Sequence, residues 1–539
     1  MNLPLPVMRK RLAAARRVLS FGISNVWRAN NQTSFSTSLL PSCVRLVPFA
    51  LFVPLALMAA CRSELQAADL PLHWPTKAPP AIAGSNPVVW VGIAERLPAA
   101  AAPLELRAAA GLLTLRDSKG VQRQADRFEI HWVRQPLARP LLVERRVLGP
   151  FPSYESAYEQ ARLWRLKGAQ PLLARPGDWE VWAPLEGPAP DGISSEVRLN
   201  NRLHWQPQLR QAGQVLNLDG PIQLKAPRGL LWNGGVYGGP FRLQRDAYGT
   251  WALVEQVPLE TYLQGVVPHE IGASAPAAAQ AAQAVLARTW ALANQQRFHI
   301  DGYHLCADSQ CQVYGDPSQV GSKLRLALDA SKGLLLTWKG KPVHGVYSAS
   351  NGGVSAGFEE GWGGGSLPYL KAQLDGPGSE KKRFPLPIIE GVGLNKLLED
   401  GANLHGAAHP RHRWQRRISS QELAALAASA KLGNVQNLLV QQRGPSGRVV
   451  DLLVQGSEGS LNLRRDQIRR RLRQLPSTLF VVVKEEPGVW RFDGAGFGHG
   501  VGLSQAGAIE LAQKGWSSAQ ILKYYFPGTV LEKLKSLPR

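Results

Sequence analysis

The apolar positions of this 539-residue chain change their period several times, and each change predicts an element. From Val47 to Ala60 they run almost unbroken and end in small residues. That run falls short of the roughly 20 residues that span a bilayer and holds Pro48 and Pro54, so it reads as the apolar part of a secretory leader. After a Pro- and Ala-rich linker, "PVVWVGIA" from Pro87 reads as a strand. Between Glu144 and Pro184 the order is strand, turn, amphipathic helix, strand, strand. Ser153 is the expected helix cap there, and Ala157, Ala161 and Leu163 fit a helical period. From Ser195 to Gln256 short alternating segments such as "LHWQPQL" and "FRLQRD", parted by Gly-rich turns, predict antiparallel sheet. An apolar run from Val257 then breaks at "GASAP", where Ser274 is the expected cap and Pro276 a first-turn residue of an Ala-rich helix. Mixed strands follow to about Leu374, and then a helix over Ser419 to Ala430 capped by Ser419. A hairpin around "GPSG", a basic helix at "RRDQIRRRLRQL", a Gly loop and a Ser517-capped helix complete the pattern.

A chain this long holds two or three domains. The expected division is a leader and extension at 1–66, a linker at 67–84, a small α/β domain at 85–190, and a main region at 195–539 with an inserted or accessory subdomain at about 376–485. The fold class is α+β and multi-domain, a mixed α/β catalytic region with antiparallel sheets preceded by a small β-α-β module.

Charge adds a cellular setting. The formal net charge is +22, and the first 63 residues hold eight Lys or Arg and no acid. The remainder keeps 54 basic residues against 40 acids, or +14. Export to the periplasm or cell envelope follows, with the body meeting a polyanionic wall or membrane surface. Nucleic acid is excluded as a partner, because the basic residues are scattered and export removes the opportunity. "LMAAC" makes Cys61 a candidate lipid anchor, with cleavage near "LQAAD" as its competitor. The exported body owns two cysteines, Cys306 and Cys311, and with His304 they are spaced HxCx4C. That spacing suits either a structural zinc or a Cys306–Cys311 disulfide.

The sharpest chemical candidate is Glu270, a carboxylate set in an apolar run that turns abruptly into a loop. Such surroundings disfavour the charged form and raise the pKa, as a general acid requires. The plainer reading makes it an ordinary loop carboxylate with Arg288 as its partner.

Four ordered segments, "VPLETYLQGVVPHEI…AQAVLARTWAL", "CADSQCQVYGD", "VYSASNGGVSAGFEEGWGGGSLPYL" and "GFGHGVGLSQAGAIELAQKGWSSAQILKYYFPGT", together resemble the SpoIID/LytB family over roughly residues 195–535. The resemblance implies a peptidoglycan-active protein: a lytic transglycosylase acting on glycan strands stripped of stem peptides, or a non-catalytic enhancer of a cell-wall amidase. It makes Glu270, after a "GVV" strand, the catalytic acid. Gln283, Arg288, Ser348, Ser350, Glu360, Trp362, His499 and Gln505 become candidate substrate contacts, with Arg288 orienting Glu270 or holding a sugar carboxylate. No cofactor is required for that chemistry, and a zinc at His304, Cys306 and Cys311 would be structural. Many relatives carry a His where this chain reads Tyr347 and Ser348, and an aromatic where it has Ala506. Residues 144–184 resemble a SPOR-type module, the small fold that binds septal peptidoglycan.

Overall fold

Strand Val88–Leu97 places alternate apolar side chains, Val89 and Val91, in the same core as Leu253, Leu263 and Leu286. The computed structural model describes residues 71–534 apart from 85, 99–101, 190–193, 212, 389–390 and 474. The expected leader, Cys61 and the cleavage site lie outside the described residues. Val88–Leu97 pairs antiparallel with Trp251–Pro258, from Val88 opposite Pro258 to Leu97 opposite Trp251. Its other edge pairs in parallel with Leu305–Cys306. These strands belong to a seven-stranded sheet.

A second, eight-stranded sheet is built around the long strand Arg127–Phe151. That strand pairs with Ser194–Gln211 almost end to end, from Ile130 opposite Leu209 to Leu148 opposite Ser194. The expected boundary between 190 and 195 therefore falls inside one antiparallel ladder. Residues 85–190 are not a module apart; their apolar faces are covered by the strands and helices of the main region, which a local pattern does not reveal. The β-α-β order itself is present. Helix Tyr154–Leu166 is capped by Ser153, whose Oγ accepts the Ser156 N–H at 3.3 Å. It buries Ala157, Ala161 and Trp164 at positions i, i+4 and i+7, while Leu163 is 41% exposed and faces outward.

Residues 413–495 enclose a core of their own, with Trp414, Ile418, Leu452, Phe480, Trp490 and Phe492 between two three-stranded sheets. The "GPSG" hairpin joins Val435–Arg443 to Val449–Gly456. The helix expected from Ser419 is shorter, Ala424–Ser429, because Arg413–Ser419 is a strand.

The centre of the main region is the alanine helix Ala277–Ala293, in which every residue from Ala279 to Leu292 is buried. Pro276 occupies its cap position, and Ser274 makes no capping bond. Small side chains let five elements close around it: helices Leu259–Val267, Ser322–Ala330, Gln505–Gln513 and Ser518–Tyr525, and strand Leu334–Trp338. The "GVV" segment is the end of the leading helix Leu259–Val267, not a strand. Leu259, Tyr262, Leu263, Val266 and Val267 follow the helical period and are all buried.

One ion pair ties the two helices. Arg288, 0% exposed on the alanine helix, donates from Nε and Nη2 to the two carboxylate oxygens of Glu260 at 2.8 and 2.7 Å. Its Nη1 donates to the Leu334 carbonyl at 3.0 Å. Removing the carboxylate leaves a buried cation unpaired, whereas removing both charges does not. Glu260→Ala is expected to destabilise the fold by about 3 kcal/mol, and the double replacement Glu260→Leu with Arg288→Met by clearly less. Denaturant midpoints for the two variants measure the difference.

Candidate active site

Pro268 has no N–H to donate, and directly after the leading helix the chain widens into a single π-helical turn, Pro268–Gly272. That turn carries Glu270. Two glycines let the loop after Cys306 close onto it. A side chain at Gly265 would strike Tyr314 and the Gly315 carbonyl, and one at Gly315 would strike the His269 ring. The Gly315 N–H donates to Gly265 O at 3.0 Å. So anchored, the loop delivers the Val313 N–H to Glu270 Oε1 at 2.8 Å.

A second donor comes from the far wall. The Tyr347 hydroxyl stands beside the carboxylate and favours its charged form. It is fixed in turn by Gln312, whose Nε2 donates to it at 3.1 Å while its Oε1 accepts from Tyr262 at 3.1 Å. Burial pushes the Glu270 pKa up; the Val313 N–H and Tyr347 pull it part of the way back.

Glu270 opens into a cleft of about 660 Å³ whose wall also includes Tyr347, Trp362, Phe497 and His499. The His499 ring packs against Trp362 with centroids 4.8 Å apart. Its Nδ1 accepts the Val501 N–H at 3.0 Å, which places the proton on Nε2. Burial, with Arg469 and Arg448 nearby, drives its pKa down to about 3, so the ring is neutral.

Of the sequence candidates, the fold brings Glu270, Trp362 and His499 to this cleft and leaves the others elsewhere. Arg288 neither touches Glu270 nor reaches solvent; its fork is filled by Glu260. Gln505 Nε2 donates to Gln283 Oε1 at 3.2 Å, and both are buried. Ser350 Oγ accepts the Gly352 N–H at 3.2 Å, and Ser348 is buried against Gly498. Glu360 accepts the N–H groups of Gly357 and Ser446 at 2.8 and 3.1 Å. These six hold the walls in place from behind.

The zinc reading is corrected. Cys306 and Cys311 form a disulfide. Both ring nitrogens of His304 meet main-chain groups at 2.9 Å, the Trp90 N–H and the Pro80 carbonyl. Neither thiolate nor imidazole lone pair is left for a metal. The bridge instead braces the loop that presents Gln312 and Val313. Those two residues and Tyr347 are what sequence reasoning missed. The adjacency of Gln312 and Val313 to Cys311 is the available signal.

Comparison with known proteins follows the same geography. Residues 247–338, which hold the leading and alanine helices, match the family described as Stage II sporulation protein. Residues 356–502 match a domain of unknown function. The amidase enhancer of Bacillus subtilis (strain 168) is 29% identical over 297 residues, covering 50% of this chain and 40% of that protein. Stage II sporulation protein D of Bacillus amyloliquefaciens is 28% identical over 298 residues, covering 52% of this chain and 76% of its own. The same-named protein of Bacillus subtilis (strain 168) is 26% identical over 302 residues, with the same two shares. The chain thus spans less than half the length of the amidase enhancer.

Tyr347→Phe removes a donor that stabilises ionised Glu270, so the pKa of that carboxyl should climb further. The titration of the Glu270 carboxyl carbon by NMR, identified by its loss in Glu270→Gln, is expected to move to higher pH.

Proposed function

We propose that this chain, which carries a SpoIID-family domain, is an exported lytic transglycosylase of peptidoglycan glycan strands, with Glu270 as its one acid–base residue. The observation that carries the reading is the setting of Glu270: a half-buried carboxylate with a raised pKa, one main-chain donor and one phenol, at the floor of a cleft. The other carboxylates lining the cleft are engaged. Glu155 is ion-paired with Arg297, and Asp466 accepts from Ser156 Oγ at 3.1 and 3.3 Å. A hydrolase of the usual kind needs a second working carboxylate at a set separation. A transglycosylase does not.

In the proposed cycle the Glu270 carboxylic acid protonates the glycosidic oxygen as the bond from C1 to that oxygen breaks. The C6 hydroxyl of the same N-acetylmuramic acid then attacks C1, and its proton passes to the Glu270 carboxylate. The product is a 1,6-anhydro end, and Glu270 returns to its acid form with no water consumed. While Glu270 is ionised, the Val313 N–H and Tyr347 stabilise it. Phe497, 45% exposed in the cleft lining, offers a ring face to a sugar, and neutral His499, packed on the buried Trp362, adds no charge beside the developing cation.

The second reading is a wall-binding protein that stimulates an amidase, favoured by the name of one relative, the amidase enhancer. Peptide-free glycan strands separate the two. Purified protein is expected to release anhydro-muramyl products detectable by mass spectrometry, and Glu270→Gln to slow release by roughly 10²- to 10⁴-fold. Because the protonated form does the work, the rate should fall as pH rises through the raised Glu270 pKa. Equal absence of product from both proteins, with equal stimulation of an amidase, would establish the enhancer instead.

A further inference from the structure

The cleft is not lined by the SpoIID-like segment alone. Its lining also takes residues from the short arginine helix Asp466–Arg471, whose Ile468 belongs to the separate core of residues 413–495. Arg469 and Arg470 both line the cleft. Arg469 makes one long hydrogen bond, from Nε to the Leu475 carbonyl at 3.4 Å, and no ion pair among the described residues. Its charge is felt at His499, which lines the same cleft as Glu270. Asp466 in the first turn of the same helix offsets part of this charge, but its oxygens are occupied by Ser156. Burial and Arg470 hold the Arg469 pKa down to about 10, which still leaves it a cation at neutral pH.

Arg470 also lines a second pocket of about 510 Å³, whose other wall residues are Arg416, Arg471 and Arg473. Arg471 donates to Ser429 Oγ at 3.2 Å and Arg473 stands 4.0 Å from Glu422, so neither of these two guanidiniums is locked in a bidentate pair. Two arginine stations joined by Arg470 suit a ligand that repeats an anion along its length better than a single small ion. The guanidinium fork matches a carboxylate, and the exposed Phe497 ring that lines the same cleft suits a sugar ring.

We propose that Arg469 and Arg470 form an anion-binding wall that takes a free lactyl carboxylate of a glycan strand, and that Arg416, Arg471 and Arg473 receive the next one along. This rests on the reading of the cleft as a glycan site. In peptidoglycan every second sugar carries that lactyl group: it is a carboxylate where the stem peptide is absent and a neutral amide where the peptide is attached. The wall therefore reads whether a strand has been stripped, and the accessory subdomain supplies the selectivity while Glu270 supplies the chemistry.

The test uses the full chain carrying Glu270→Gln, so that binding is read without turnover, and two preparations of peptide-free glycan strands. One keeps its carboxylates; the other has them converted to primary amides. Calorimetry at low salt is expected to show the carboxylate strands binding at least roughly tenfold tighter, the scale of one charge-assisted bidentate contact. Arg469→Gln should erase that preference while leaving amidated strands bound as before, and Arg469→Lys should restore part of it. A triple replacement of Arg416, Arg471 and Arg473 by Gln should weaken long strands and spare single disaccharides. Equal affinity for the two preparations overturns the proposal, as does an Arg469→Gln variant that loses both equally. Binding of a glycerol-phosphate polymer in preference to either strand would overturn it in favour of a phosphate ligand. Failure to bind or cleave any strand sinks the glycosidase reading itself, whereas cleavage that ignores strand charge sinks only this inference.

Discussion

The arrangement depends on one buried cation. Arg288 lies inside a helix of alanines, and a guanidinium there is tolerated only because Glu260 and the Leu334 carbonyl fill its donors. Glu260 sits in the first turn of the leading helix, and Glu270 in the turn that ends it. The pair therefore fixes the orientation of the element whose far end carries the acid. It is a registry device: apolar contacts among small residues would permit the two helices to slide, whereas a bidentate bond between a rigid fork and a carboxylate has one geometry. What looks like a substrate-binding arginine by its place in the sequence is instead a structural partner that orients the helix leading to Glu270.

The second constraint is electrical balance around Glu270. Burial raises its pKa, and the two donors lower it. The structure applies both, and it does so from separate parts of the chain. The Val313 donor is held by a disulfide-braced loop and two glycine contacts, the phenol by Gln312 and Tyr262. His499 joins the wall as a neutral ring, because a charge there would stand in a desolvated site beside Arg469.

Local chemistry was legible in the sequence, and long-range pairing was not. Glu270 stood out because a carboxylate in an apolar run has an environment that can be read from its neighbours. The helix caps at Ser153 and Ser517 and the "GPSG" hairpin are encoded within a few residues, and all three are present. The partner of Arg288 is hidden because the "GVV" end of the apolar run reads as a strand, whereas Leu259, Tyr262, Leu263, Val266 and Val267 together follow a helical period that makes Glu260 a helix residue facing a helix. Whether Cys306 and Cys311 hold a metal or each other is open to spacing alone, and the engagement of His304 by Trp90 and Pro80 decides it. Strand Val88–Leu97 was assigned to a separate module because nothing local announces that its partner is Trp251–Pro258.

The same division bears on how function is distributed along the chain. Glu270, the helix before it and the Val313 donor fall in 247–338, the part that matches the sporulation protein family, while Tyr347 lies just beyond that segment. Trp362, Arg469, Arg470 and His499 fall in 356–502, the domain of unknown function. A cleft assembled this way draws Glu270 from a buried helix pair and the arginine-bearing lining from a segment with a core of its own. Substitutions in that second core can therefore reshape the arginine lining without disturbing the ion pair between Arg288 and Glu260. The two parts of the cleft rest on separate sets of apolar contacts, so each can change while the other keeps its geometry.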